Sequence, residues 1–307
     1  MAYCHYGELK NRGIFPLHDE SQITIGYLET ELNLVPGMKN IRLRDFPSFI
    51  QTTDPDDIMV NHNILQTKNA CRAKAVIIHT FDDLEKEVPD AIRQKFDHVF
   101  TISPLQLLEH QVENLEVNSI GSNLWKEDNA CIAWLNQRAP NTVLYVNFGS
   151  IIVLSPQQLL EFAWGLANSN QYFLWIIRPD LVRGESAILP QEYLKEVEGR
   201  AMMAGWCSQE QGISEGVQMI CWPFFVEQQT NCRYACMDWE IGLQIEGNVE
   251  RGKVVELVKV LMEGEKGKDM RKKALEWKDK AQLAGKPGGS SYHNLEFLIN
   301  DMLLKNY

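Results

Sequence analysis

The sequence predicts an α/β protein whose strands pair in parallel and whose helices cover both faces of the sheets. Short apolar runs alternate with longer amphipathic segments along most of the chain, as in repeated strand–helix units. The apolar runs are continuous rather than interrupted by polar residues, which is typical of strands buried on both faces of a parallel sheet. The 307 residues, 45% of them hydrophobic, are enough for two domains of ordinary size.

The beginning of the chain is predicted to be irregular up to about residue 50. Turn signals occur at residues 11–13 and 35–37, and Pro47 discourages a long element. A helix is then predicted over residues 54–75, with Asp54 as its N-cap and a proline at its first position. We therefore interpret the acidic residues of its first turn as a helix start rather than a metal site.

A strand–helix–strand unit is predicted next. The apolar runs at residues 75–81 and 98–104 are strand candidates, and residues 81–96 between them are predicted to be helical. Periodicity is lost over residues 103–130. The polar stretch 119–130 at the end of that region is the predicted linker between two domains.

Strand and helix alternate regularly in the second half. Ser155, Pro156 and Gln158 form a capping-box start for a helix that follows the first strand of this half. The tail from Glu250 onward is predicted to be helical, with a break near residues 285–291 and a last helix after it. The predicted strands of this half are residues 142–150, 172–179, 201–206 and 217–223.

Charge and composition exclude several classes of partner. The formal net charge of -11 disfavours nucleic acids and anionic membranes, which both require a clustered positive field. No segment approaches the roughly 20 apolar residues of a membrane span. The first residues lack the apolar centre of a secretory signal, so we expect a cytoplasmic protein.

The seven cysteines are odd in number, scattered, and never spaced C-x-x-C. This pattern predicts neither a disulfide framework nor a zinc site. Cys232 and Cys236 share one face of a predicted helix, and we interpret them as buried thiols.

Candidate site residues follow three predicted strands, because doubly wound folds bind ligands at the carboxyl ends of their strands. Ser150 and Trp206 lie at two such ends. Trp206 could stack on a flat base, and Gln209 beside it could hydrogen-bond vicinal hydroxyls; core packing is the alternative for Trp206. Glu227 and Gln228 open a helix after the last of these strands. They could hold sugar hydroxyls, or serve as first-turn charge and solvated surface.

The order of these segments resembles the plant secondary-product (family 1) UDP-glycosyltransferases. The sequence WCSQEQ at 206–211 and GVQMICWPFFVEQQTNC at 216–232 resemble the two ends of that family's signature box. Further segments, among them SIGSNLWKEDNACIAWL, VLYVNFGSI and GGSSYHNLEFL, extend the resemblance over essentially the whole chain. It implies a GT-B fold, in which two Rossmann-like domains face each other across a cleft.

The resemblance also implies the reaction and the domain plan. Family members transfer glucose from UDP-glucose to a hydroxyl of a small metabolite with inversion, without a metal or other cofactor. The expected divisions are an incomplete acceptor-side domain (1–118), the linker (119–130), a UDP-sugar domain with an internal deletion (131–285) and a C-terminal helix packing back toward the first domain (286–307).

Six residues receive roles in UDP-sugar binding from the resemblance. Trp206 would stack on uracil, the Cys207 backbone would pair with the base edge, and Gln209 would contact the ribose side. Ser150 would lie near the diphosphate, and Glu227 and Gln228 would hold hexose hydroxyls.

The chain departs from the family in its catalytic residues. Family members use a histidine as general base and an aspartate that orients it. None of the seven histidines stands in the matching motif, so no catalytic residue is assigned. We interpret His79, inside an apolar run, as a core imidazole, and we expect His5 to line the acceptor side of the cleft.

A second departure lies inside the signature box, where Gln211 is followed directly by Gly212. Roughly twenty residues of the family pattern have no counterpart there, including the helix start that would hold the diphosphate. We therefore expect a glycosyltransferase by descent whose transfer activity is impaired. The alternative is an inactive, truncated or misassembled product that binds nucleotide weakly or serves as an interaction scaffold. The acceptor and the oligomeric state are left open.

Overall fold

The computed structural model describes residues 1–109, 130–183, 189–205 and 215–306. Every strand in these ranges pairs in parallel, which confirms the predicted α/β class. None of the described helices has both the length and the apolar composition that a membrane span requires. The strands are β1 (Val76–Ile78), β2 (Val99–Thr101), β3 (Val143–Val146), β4 (Tyr172–Ile176), β5 (Ala201–Ala204), β6 (Met219–Cys221) and β7 (Gly242–Gln244).

Helices precede and follow these strands, as repeated strand–helix units require. Short 3-10 turns occupy parts of residues 20–50 and the last described residues, and π-helical turns occupy Tyr234–Asp238 and Leu298–Leu303. The α-helices of the described ranges are α1 (Ala2–Asn11), α2 (Ile58–Ala70), α3 (Asp82–Glu85), α4 (Glu87–Arg93), α5 (Leu105–Glu109), α6 (Ala130–Leu135), α7 (Pro156–Asn168), α8 (Gln191–Glu196), α9 (Gln228–Arg233), α10 (Arg251–Met262), α11 (Glu265–Gly285) and α12 (Ser290–Phe297).

The described strands form three separate sheets rather than one or two continuous ones. One sheet contains β1 and β2, the second has the order β3–β4–β5, and the third contains β6 and β7. Helices α7 and α10 pack together on the second sheet, where Trp175 and Leu166 are fully buried. Gly165 permits this contact, because a Cβ at that position would lie 2.5 Å from the Cβ of Val254.

The capping box predicted for α7 is confirmed. The Ser155 hydroxyl accepts a hydrogen bond from the Gln158 N–H at 3.2 Å, and the Gln158 side chain accepts one from the Ser155 N–H at 2.9 Å. Both bonds satisfy backbone donors that a helix start otherwise leaves unpaired. Local sequence therefore determines where this helix begins.

The expectation of an irregular start to the chain is wrong for α1. A helix of this length is marginal by itself, and Gly7 in its middle weakens it further. Tertiary packing stabilises it, because Tyr6 and Leu9 are fully buried and the Tyr6 hydroxyl donates to the Pro47 carbonyl at 3.0 Å. The predicted turns near Gly13 and Gly37 are present, and both glycines have positive φ angles.

The N-cap predicted for α2 is also wrong, by three residues. Asp57, not Asp54, caps the helix by accepting a hydrogen bond from the Val60 N–H at 2.9 Å. Asp54 instead accepts from the Asp56 N–H at 2.8 Å, within the preceding turn. The acidic residues do mark the helix start, but several carboxylates compete for the same short-range role.

Two predicted helices are interrupted in the structure. The segment predicted over residues 81–96 forms α3 and α4 with a break at Lys86, and Pro89 is accommodated in the first turn of α4. The helical segment predicted over residues 225–239 forms α9 and then the π-helical turn Tyr234–Asp238. Strand and helix types were predictable here, whereas the breaks were not.

Both histidine interpretations are wrong. His79 lies just beyond β1 and is exposed, not buried as a core imidazole. The neighbouring Ile77 is 52% exposed, so β1 is open on one face. His5 is buried in α1 with its Nδ1 3.3 Å from the Met1 carbonyl, and burial lowers the pKa of His5. It therefore belongs to the core of the first part and does not line a cleft.

The C-terminal helix α12 contacts β2 through polar and aromatic groups. The Ser291 hydroxyl donates to the Ser103 carbonyl at 2.7 Å, and the Asn294 amide donates to the Thr101 carbonyl at 3.0 Å.

The domain boundaries drawn from the sequence stay predictions. The linker at 119–130 lies outside the described residues, apart from the first residue of α6.

Candidate functional site

A cavity of about 1510 Å³ opens between β3 and β6. Among the described strands, β3 is bonded only to β4 and β6 only to β7. Residues of β3 line one wall of the cavity, residues of β6 line the facing wall, and α10 contributes apolar side chains between them. Two strand edges thus border an empty space, and edges of this kind offer unpaired backbone groups.

Aromatic rings form a wall of this cavity near the carboxyl ends of β3 and β6. The rings of Phe148 and Phe162 have centroids 5.1 Å apart, and Trp222 is stacked on Phe162 at 6.3 Å with an angle of 9°. Phe224 lies 4.5 Å from Trp222. Phe148 meets Phe162 edge-on at 75°, and Phe224 is tilted by 56° from Trp222, so the wall is apolar but not flat. This wall was not predicted, although the run Trp-Pro-Phe-Phe after an apolar strand was a signal for it in the sequence.

The loop after β3 carries Ser150. Asn147 stabilises the turn in this loop, because its side-chain oxygen accepts a hydrogen bond from the Gly149 N–H at 2.8 Å. Gly149 has a φ of 67°, a conformation that glycine adopts without steric cost. Gly149 lines the cavity, and Ser150 is the exposed residue directly after it.

Arg178, beyond the end of β4, holds this loop in place. The side chain is only 1% exposed, and its guanidinium donates hydrogen bonds to the carbonyls of Ser150 and Ile152. Asp180, 3.5 Å away, is its acidic neighbour. Charge-assisted bonds to backbone carbonyls are stronger than neutral ones, so Arg178 is a positioning residue for Ser150. Its sequence signal was an arginine directly after a buried apolar run.

Glu227 and Gln228 lie after β6. Glu227 occupies the N-cap position of α9 and is exposed. Gln228 is half-buried, lines the cavity, and accepts a hydrogen bond through Oε1 from the Phe224 N–H at 2.8 Å. Its side chain therefore stabilises the turn that leads into α9, a role that the sequence did not reveal.

The first part of the chain fixes the start of α9. Val226, directly before Glu227, has a φ of 59°, which is strained for a β-branched residue. Its N–H donates to the Ser48 hydroxyl at 2.7 Å, and the Ser48 N–H donates to its carbonyl at 3.1 Å. These two bonds hold the strained residue in place.

We expect Val226→Asn to raise the free energy of unfolding by about 1 kcal/mol, because asparagine tolerates the left-handed region that strains valine. Val226→Ala, which shortens the side chain but keeps a Cβ, is the matched control and should gain less. Urea unfolding of both variants measures the difference. If Val226→Asn is less stable than Val226→Ala, the strain at this position is not limiting.

A buried ion pair joins α9 to the first part of the chain, at Asp45. Asp45 is 5% exposed and is held by Arg42 through two bonds, from Nε at 2.9 Å and from Nη2 at 3.0 Å. Arg233 of α9 lies 3.7 Å from the same carboxylate. The hydrogen bonds that Arg42 donates to Asp45 raise the pKa of Arg42. The Thr230 hydroxyl adds a bond to the Asp45 carbonyl at 2.7 Å, so the position of α9 depends on Asp45.

Positive charge lies at the opposite end of the cavity. Of the described residues that line it, the arginines are Arg138 and Arg271. The Arg138 guanidinium stacks on Trp134 at 3.3 Å and lies 5.3 Å from Tyr172, the first residue of β4. Arg271 donates to the Asn141 carbonyl, before β3 begins, at 3.5 Å. Both cations are therefore near the amino ends of the strands, not at the carboxyl ends.

The structure brings some of the predicted site residues together and leaves others outside its description. Ser150 follows the carboxyl end of β3, and Glu227 and Gln228 follow that of β6. Gln228 lines the cavity, as does Gly149, the neighbour of Ser150. Trp206, Cys207 and Gln209 follow β5 but lie outside the described residues. The ligand roles of all six stay predictions.

Comparison with known proteins identifies the family. The profile described as UDP-glucoronosyl and UDP-glucosyl transferase matches residues 116–279. A 7-deoxyloganetin glucosyltransferase of Gardenia jasminoides is 51% identical over 99% of this chain and 68% of its own length. An (R)-mandelonitrile beta-glucosyltransferase of Prunus dulcis is 47% identical, again over 99% of this chain and 68% of its own length.

Solved structures of similar fold support the GT-B architecture. A UDP-glucose: anthocyanidin 3-O-glucosyltransferase in complex with UDP has a TM-score of 0.80 at 21% identity, covering 97% of this chain and 67% of its own. Phytolacca americana UGT2, complexed with UDP-2fluoro-glucose and pterostilbene, has a TM-score of 0.76 at 24% identity, covering 97% and 69%. At this identity the likeness concerns the fold.

The sequence alignments also reveal a length difference. The alignment with the Gardenia jasminoides enzyme spans 327 positions, whereas this chain has 307 residues. At least 20 positions of the relative, the difference between these two lengths, therefore have no counterpart here.

The match in sequence extends over 99% of this chain at 51% identity, and the fold matches as well. The chain therefore belongs to the UDP-glucoronosyl and UDP-glucosyl transferase family.

Proposed function

We propose that this chain binds UDP-glucose in the cavity between β3 and β6 and is descended from enzymes that transfer glucose to a hydroxyl of a small plant metabolite. The observation that carries the proposal is that Gly149, the residue directly before Ser150, and Gln228 line one cavity beyond the carboxyl ends of two parallel strands. Relatives named for 7-deoxyloganetin and (R)-mandelonitrile favour an iridoid, terpenoid or cyanohydrin hydroxyl as acceptor.

In the proposed reaction the acceptor oxygen attacks the anomeric carbon of the sugar and UDP departs from the opposite face. The new glycosidic bond has inverted configuration, and the hydroxyl proton passes to a base. We expect no metal or other cofactor. Trp206 would stack on uracil, the Cys207 backbone would pair with the base edge, and Gln209 would contact the ribose side.

Gln228 and Glu227 are proposed to hold the hexose. Because the Oε1 atom of Gln228 accepts the bond from Phe224, its amide NH₂ is the group that can donate to a sugar hydroxyl. The Glu227 carboxylate is exposed at the helix start and can accept hydrogen bonds from vicinal hydroxyls. Ser150, in the loop held by Arg178, would lie near the diphosphate.

We further propose that transfer is impaired in this chain. The cavity's arginines lie near the amino ends of the strands, away from the expected diphosphate. The relatives' unmatched positions include, by the family resemblance, the helix start that holds the diphosphate. Donor binding should therefore be weak and glucosyl transfer slow.

A second candidate function is weak nucleotide binding without transfer, or service as an interaction scaffold. The observation that favours it is that, among the described strands, β3 pairs only with β4 and β6 only with β7, so one edge of each faces the cavity. Edges of this kind pair readily with another extended segment.

Calorimetry with UDP and UDP-glucose tests the proposal. The unmodified chain should bind UDP with a dissociation constant of roughly 0.1–1 mM. Gln228→Glu keeps an oxygen that can accept from Phe224 but removes the amide donor, so it should weaken UDP-glucose binding about tenfold and leave UDP binding unchanged. Trp206→Ala should weaken both ligands equally, because both contain uracil.

The outcomes separate the two candidates. Binding of both ligands, with the stated loss in each variant, supports the donor site, and product analysis with a hydroxylated acceptor then measures transfer. Binding without product supports the nucleotide-binding candidate. A chain that is folded by circular dichroism and binds neither ligand contradicts the proposed donor site.

A further inference from the structure

Three thiols meet at the cavity wall, although they are separated in the sequence. Cys221 is the last residue of β6, Cys232 lies in α9, and Cys236 lies in the π-helical turn that follows. Their sulfur atoms are all within 4.8 Å of one another, and the Sγ atoms of Cys232 and Cys236 are 3.9 Å apart. The sequence indicated only that Cys232 and Cys236 share a helical face, whereas the fold also brings Cys221 beside them.

The spacing of the sulfurs matches that of a metal-bound set of thiolates. A Zn–S bond is about 2.3 Å long, so two sulfurs on one zinc ion lie roughly 3.8 Å apart in tetrahedral and 4.0 Å apart in trigonal geometry. The separation of 3.9 Å between Cys232 and Cys236 falls within this interval. The upper limit of 4.8 Å for the remaining pairs leaves less than about 1 Å to close, within the reach of small χ1 changes.

Two cations lie near the thiols. The charges of Lys266 and Arg233 both act on the Cys236 sulfur. Three thiolates around a divalent cation carry a net charge of about -1, which these two cations can balance. Apolar neighbours such as Met219 and Trp239 line the rest of the site.

An approach path and a vacant ligand position are both present. Cys221 and Cys232 line the large cavity, so a small ion can reach them from the solvent that enters it. Water in the cavity can supply the fourth ligand that three thiolates leave vacant. On the other side, Gly242 leaves space for the Cys236 sulfur, since a Cβ there would lie 3.0 Å from it.

We propose that Cys221, Cys232 and Cys236 form a tris-thiolate site for one thiophilic divalent cation of the zinc or cadmium type. Binding replaces the thiol protons by three metal–sulfur bonds and releases the protons to solvent, with no change of oxidation state. The site is separate from the six residues proposed to bind UDP-sugar. Its existence does not depend on whether the chain transfers glucose.

Cadmium titration of the full-length chain, reduced and freed of metal by a chelator, tests the site. We expect one Cd²⁺ per chain, detected by equilibrium dialysis and by the ultraviolet charge-transfer absorption of cadmium–thiolate bonds. Replacing any one of the three cysteines by serine should weaken binding roughly a hundredfold, since the binding energy of a metal site is shared among few ligands. Cys4→Ser and Cys71→Ser, outside the cluster, are matched controls and should bind as the unmodified chain does.

Two results would overturn the proposal. One is the absence of stoichiometric binding by the folded, reduced chain; the other is unchanged binding by the triple serine variant. If the serine variants do not fold, alkylation of the unmodified chain gives the answer. Cd²⁺ should protect Cys221, Cys232 and Cys236 from maleimide, as mapped by mass spectrometry, and leave the exposed Cys71 reactive. Equal labelling of the three cysteines with and without Cd²⁺ also rejects the site.

Discussion

Insertion of the missing segment between Gln211 and Gly212 should raise the free energy of unfolding by about 4 kcal/mol and the thermal midpoint by about 10 °C. The segment would be taken from the Gardenia jasminoides relative, whose alignment contains at least 20 unmatched positions, the excess of 327 over 307. A strand placed between β3 and β6 would cover half-exposed apolar side chains such as Leu144, Tyr145, Met219 and Ile220, each contributing about 1 kcal/mol.

The same insertion should tighten UDP binding by roughly tenfold or more, because it restores a helix start at the diphosphate. Calorimetry and urea unfolding measure the two effects, and the slope of the urea transition should also increase as more surface is buried on folding. A scrambled segment of the same composition, inserted at the same junction, is the control. If both insertions act alike, the cavity is not the place of a missing strand.

The second large effect is expected for Asp45→Ala, which should lower the free energy of unfolding by about 3–5 kcal/mol. The carboxylate is 5% exposed, so its removal leaves Arg42 and Arg233 close together without their shared anion. Urea unfolding measures the loss. UDP-glucose binding should weaken as well, because Arg233 belongs to α9, the helix that begins beside Glu227.

Glu29→Ala is the matched control for this substitution. Glu29 also pairs with Arg42, at 2.9 Å, but its side chain is 50% exposed. Exposed ion pairs contribute about 0–1 kcal/mol because water screens them and solvates both partners. Similar losses for Asp45→Ala and Glu29→Ala would show that burial does not strengthen the Asp45 pair.

Elements whose signals lie within a few neighbouring residues were predictable. The start of α7 follows from a capping box whose two side chains bond across three residues, and the structure contains both bonds. The parallel strands follow from continuous apolar runs, as β4 demonstrates with four of its five residues buried. The break before α12 follows from its glycine and proline content. In each case the determining interactions are local.

The N-terminal helix and the α2 cap were not predictable, because several local choices were nearly equivalent. The helix α1 exists because Tyr6 and Leu9 are buried against residues distant in sequence. Asp57 caps α2 although Asp54 was an equally good candidate by residue type. Tertiary packing selects among such alternatives when their intrinsic energies differ little.

By itself the sequence determined the α/β class, the family and the candidate nucleotide-sugar residues, since these depend on local patterns and on motif order. Only the tertiary structure revealed the cavity between β3 and β6. It also revealed the hydrogen bond from Arg178 to the Ser150 carbonyl and the proximity of Cys221 to Cys232 and Cys236. The physical reason is the same for all three. Each depends on contacts between segments whose separation in space is set by the packing of whole elements, which no local pattern encodes.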